Sequence, residues 1–94
     1  MYVFIFIKYT GTRCIHIENM SCFNYARAKQ YSEASTKKCR QACKDDITCT
    51  GGIHWHVNDK CYHFGVEGAL DKECTGRTNG LGQSHGFVCN GHSG

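Results

Sequence analysis

Four cysteines in the order Cys39-x3-Cys43-x5-Cys49-x11-Cys61, set in the stretch from Lys38 to Phe64, constrain this chain more than any other feature. Cys39 and Cys43 lie one helical turn apart, so on a helix both thiols leave from one face and can be tied to strands that follow. Ser35 or Thr36 supplies the cap for such a helix, which should run to about Lys44. Beyond Cys49 the pattern turns to β. Thr50-Gly51-Gly52 reads as punctuation, Ile53 to Val57 is rich in β-branched and aromatic residues, Asn58-Asp59 has turn chemistry, and Cys61 to Phe64 returns. The expectation is a helix sewn to a hairpin.

A chain of 94 residues forms one domain, 1–94, and buries too little surface to be secure without staples. Its eight cysteines, even in number and without a CxxC pair, predict a disulfide framework and an oxidising, secreted setting. Zinc is the competing use of thiols, but its ligands normally come in close CxxC-type pairs. Spacing alone leaves roughly a hundred pairings open. The formal net charge of +3 does not call for a nucleic-acid partner. No stretch is long enough to span a bilayer, and Tyr2 to Ile7 lacks the basic flank and cleavage site of a signal peptide. A secreted product would therefore imply a leader already removed or a longer parent sequence.

Cys49, Gly51, Trp55, Cys61 and Tyr62, following the CxxxC helix, resemble the core of the PAN/apple domain family, in which a strand reading C-x-small-x-x-aromatic leads through a short turn to a strand opening C-hydrophobic. Cys22-Phe23-Asn24-Tyr25-Ala26-Arg27, with Lys29 and Tyr31, looks like the opening of the small secreted apple-type proteins of leech saliva that bind collagen. The resemblance runs from Cys22 to Cys89 and leaves residues 1–21 as an extra N-terminal β-hairpin. It implies an α+β fold, a curved antiparallel sheet with one helix packed across it. It also implies bridges Cys43 to Cys49, Cys39 to Cys61 and Cys22 to Cys89, the last joining the ends of the domain. Cys14 is then left with Cys74, a pair that would fasten the hairpin. Trp55 is expected to point into the core between sheet and helix.

In the N-terminal segment, Tyr2-Val3-Phe4-Ile5-Phe6-Ile7 is strongly β-prone with apolar side chains on both faces. Thr10-Gly11-Thr12 offers a turn and Arg13 to Glu18 a returning strand. Such a segment is either an internal strand of a monomer, the favoured reading, or a homodimer interface. Asn19-Met20-Ser21 is an N-glycosylation sequon, or else a plain polar turn. Phe23 to Tyr31 is expected to be extended. Gly65 to Glu73 is loop-like, Asn79-Gly80 signals a tight turn, and Phe87-Val88-Cys89 a last short strand. Gly80-x-Gly82-x3-Gly86 lacks the strand-loop-helix context of a nucleotide loop.

The chemistry points away from catalysis. With every cysteine expected in a bridge no thiolate remains as nucleophile, and Ser84-His85 has no nucleophile elbow. No cofactor is called for, and no enzyme is expected. His54 and His56, two apart on a strand, and His63 on the returning strand are weak candidates for a metal, set against a polar-surface reading. Lys37, Lys38, Arg40 and Lys44, with Arg27 and Lys29, form a candidate basic face, either for sulfated glycans and acidic protein surfaces or merely as a solvated helix face. Since PAN/apple domains bind proteins and carbohydrates, the resemblance implies a secreted module for protein–protein interaction or adhesion, whose partner is an extracellular protein or glycan. A lectin is the alternative, with Tyr62, Tyr31 and the histidines as its candidate contacts. A disulfide-rich toxin or protease inhibitor, presenting Gly65 to Glu73, comes after it.

Overall fold

A computed structural model describes residues 13–89. The expected strand Tyr2 to Ile7, and with it the hairpin it was to form, lies outside those residues.

The chain forms β1 (Cys14–Glu18), β2 (Met20–Cys22), a 3-10 turn (Tyr25–Arg27), β3 (Lys29–Ser32), α1 (Thr36–Lys44), β4 (Gly51–Trp55), β5 (Lys60–Phe64), β6 (Arg77–Asn79) and β7 (Ser84–Cys89). Five strands make one antiparallel sheet in the order β1-β7-β4-β5-β3, and β2 and β6 pair as a separate ribbon. One helix on an antiparallel sheet is the α+β architecture the sequence suggests. The sheet begins at Cys14, ahead of the start implied by the family resemblance, because β1 lies along β7 as an edge strand. Phe23 to Tyr31 is only partly extended, since Tyr25–Arg27 curls into the 3-10 turn before β3.

Helix α1 starts where its cap is. The Ser35 Oγ accepts the Lys38 amide at 3.1 Å, satisfying a donor with no partner within the helix. Its inner face carries Cys39 and Cys43, both fully buried against Cys49, Cys61, Val66, Phe87 and Cys89. The opposite face of the sheet has its own core of Met20, Cys22, Ala28, Ile53, Tyr62 and Phe64, with the β2–β6 ribbon above it. The sheet is therefore covered on both faces, as strands with apolar residues on both sides require.

Gly51 and Gly52 belong to the strand, where punctuation was expected. A Cβ on Gly52 would lie 1.8 Å from the Tyr62 carbonyl oxygen and 3.1 Å from the Phe87 ring, so the neighbouring strands close over a position that only glycine fits.

Four disulfides join Cys14–Cys89, Cys22–Cys74, Cys39–Cys61 and Cys43–Cys49. The two helix bridges pair as the resemblance implies. The other two exchange partners. Cys22 lies in the core on the ribbon side and Cys89 in the core under the helix, so the sheet separates them. Cys14 stands directly opposite Cys89 in the β1–β7 register and takes the bridge between the two ends, while Cys22 reaches Cys74.

Candidate functional site

The helix turns its polar side outward. Lys37, Lys38, Gln41 and Lys44 are exposed, Arg40 is half-buried, and Thr36–Lys44 contains no acidic residue. Near the helix C-terminus the pattern changes. Asp45 and Asp46 follow, and hydrogen bonds from Thr48 hold the Asp46 carboxyl below the usual carboxylate range, with a smaller contribution from the charge of Lys29. Arg27 is engaged elsewhere. Its Nε donates to Asp71 at 2.8 Å, and hydrogen bonds from Asn24 and Arg27 keep that half-buried carboxyl depressed. The basic face is therefore Lys37, Lys38 and Lys44 on α1, with Arg40 at its edge.

The three histidines proposed for a metal do not converge. His54 and Trp55 occupy the faces opposite to those expected. His54 points at the helix and is fully buried, its Nδ1 2.8 Å from the Thr36 Oγ1 and its Nε2 bonded to the Glu33 carbonyl. His63 is also buried under α1, where its Nε2 donates to the Cys39 carbonyl at 2.9 Å and its ring meets Tyr31 and Phe87 edge-on. Burial pushes the His63 pKa down, only partly opposed by that hydrogen bond and by Asp46. His56 lies past the end of β4, exposed.

Trp55 lies on the ribbon side. There it packs against the second core and meets Tyr25, with ring centroids 6.2 Å apart, and Tyr25 in turn meets Tyr62 at 5.7 Å in a perpendicular arrangement. Tyr62 is only 4% exposed, so it is a support and not a contact residue, and burial raises its hydroxyl pKa. Tyr25, 42% exposed, is the aromatic this cluster presents. Tyr31, edge-on to His63, is half-buried.

His16 and His85, which sequence reasoning did not propose for a metal, come together instead, with His56 beside them. His16 on β1 and His85 on β7 approach to 3.2 Å between Nε2 and Nδ1, and the His85 and His56 ring centroids are 5.5 Å apart. Burial, then the charges of His16 and His56, lowers the pKa of His85. The signal was positional. His85 pairs with Glu18 on one side and His54 on the other, which places His16 and His56 diagonally beside it, but such pairing appears only once strand order is known.

Ser84 and His85 point to opposite faces of β7, and the Ser84 Oγ donates to the Met20 carbonyl at 2.8 Å. The sequon residue Asn19 sits at φ 64° between β1 and β2, its Nδ2 donating to Asn79 and its Oδ1 accepting from the Gly82 amide, while Ser21 is buried. In the folded chain this segment is a built turn. The Gly80–Gly86 stretch joins β6 to β7 and ends in a strand. Among the described residues no helix is long and apolar enough to cross a membrane.

Comparison with models of known protein families, with curated proteins and with solved structures yields no match.

Proposed function

We propose that this chain is a secreted, non-enzymatic binding module of the PAN/apple kind that engages an acidic extracellular protein through the outer face of α1. The observation that carries the reading is the helix itself. It presents three lysines to solvent with no acid among them, on a support tied down by Cys39–Cys61 and Cys43–Cys49. A positive face of this kind steers an acidic partner, and a rigid support limits the conformational freedom lost on binding. The two bridges behind the helix are those the family resemblance calls for, and four disulfides in so small a domain are compatible with an extracellular setting.

A heparin column serves as the polyanion probe, run near physiological salt because screening acts over about 8 Å there. The protein is expected to be retained beyond that salt, and the combined variant Lys37→Gln, Lys38→Gln, Lys44→Gln to elute well before it. Elution of both at the same low salt would overturn the assignment.

A glycan-binding reading is favoured by one observation, the half-exposed Tyr25 ring braced by Trp55 and Tyr62. Binding on a glycan array that is lost in Tyr25→Ala but kept in the lysine variant would transfer the function to that surface.

A further inference from the structure

The three histidines His16, His56 and His85 have no part in the binding surface just described, yet the sheet collects them at one place. His85 lies on β7 with β1 on one side and β4 on the other. His16 and His85 share the face of the sheet that α1 packs on, but the helix starts at Thr36, whose hydroxyl meets His54, and His16 and His56 stay exposed.

The spacing of the first pair suggests a ligand. Two imidazole nitrogens bound to one tetrahedral ion at about 2.0–2.1 Å each stand roughly 3.3 Å apart. The His16 Nε2 and the His85 Nδ1 are 3.2 Å apart, which matches the separation of two nitrogens on one ion. In its absence the same distance accommodates one N–H···N hydrogen bond. His56 is the third member. Its Nε2 contacts the Gly82 carbonyl at 3.0 Å, which leaves Nδ1 as the nitrogen available to an ion, and its ring centroid is 5.5 Å from that of His85. Glu18 stands opposite His85 in the β1–β7 register and supplies an acidic residue beside the group. Imidazole suits zinc, copper and nickel; the His16–His85 pair holds the ion, and the His56 ring has to turn towards it to complete an open site with room for a water.

We propose that His16, His85 and His56 form a surface site for a divalent transition-metal ion, with the His16 Nε2 and His85 Nδ1 as the primary chelating pair and His56 as the third ligand.

Untagged protein titrated with zinc sulfate by calorimetry should bind one ion per chain. His16→Ala and His85→Ala should each weaken binding at least about tenfold, the least expected for losing a direct ligand when losing a supporting partner costs that much. In the unmodified protein, zinc should shift the imidazole ring proton resonances of His16, His56 and His85 and spare His63, a readout independent of how well any variant folds. An absence of saturable zinc binding, or equal affinity in His85→Ala, or ring shifts confined to other histidines, would overturn the proposal.

Discussion

At the scale of the residue, His63 couples the helix to the sheet. It is buried, donates to the Cys39 carbonyl, and is held in its neutral form mainly by burial, with Lys29 acting in the same direction and Asp46 against it. In the unfolded chain a histidine takes up its proton near pH 6.5. Below that pH the unfolded state binds more protons than the folded one, so the stability owed to neutral His63 is fully present above about pH 6.5 and is lost as pH falls through the lower folded value. His85, also depressed, acts in the same window, whereas Asp46 and Asp71 come into play only below about pH 4. Denaturant midpoints measured from pH 7.5 to 5 should therefore fall, and His63→Gln, which keeps a donor without the titration, should flatten the slope without abolishing it. An unchanged slope in that variant would remove His63 from the explanation.

At the scale of the element, the helix was legible because its determinants are local. Ser35 caps it, Cys39 and Cys43 share a face, and Lys44 ends it, each close to where the sequence places it. The orientation of β4 was legible too, had two expectations been joined. If Cys39 bridges Cys61, then Cys61 faces the helix. His54 stands opposite Cys61 and so must face it too, which turns Trp55 away. The second pair of bridges is different in kind, since choosing Cys14 over Cys22 as the partner of Cys89 requires knowing that β1 lies along β7 and that Cys22 lies on the other side of the sheet. Peptide mapping without reduction should recover Cys14 with Cys89 and Cys22 with Cys74, and recovery of Cys22 with Cys89 would overturn that arrangement. The double variant Cys39→Ala, Cys61→Ala should lose about 2–5 kcal/mol of stability, read as a lowered denaturant midpoint. It removes the covalent tie between α1 and β5, leaving the hydrogen bond from His63 to the Cys39 carbonyl between them and the Cys43–Cys49 bridge at the end of the helix.

At the scale of the whole molecule, the parts form three layers, with α1 on one side of the sheet and the β2–β6 ribbon on the other, and three of the four disulfides join parts of the chain that are distant in sequence. Each outer layer offers a different surface, lysines on the helix side and the Tyr25 cluster on the ribbon side, with the histidine group beside the helix N-terminus. Because the sheet lies between the first two, a ligand can be assigned to one of them by its footprint. The most direct measurement is heteronuclear NMR of the intact protein titrated with a heparin-type oligosaccharide as the polyanion probe. Binding through α1 requires saturable shifts at Lys37, Lys38, Gln41 and Lys44 with little change at Tyr25 and Trp55. Shifts centred on Tyr25 and Trp55, or none at all, would contradict it.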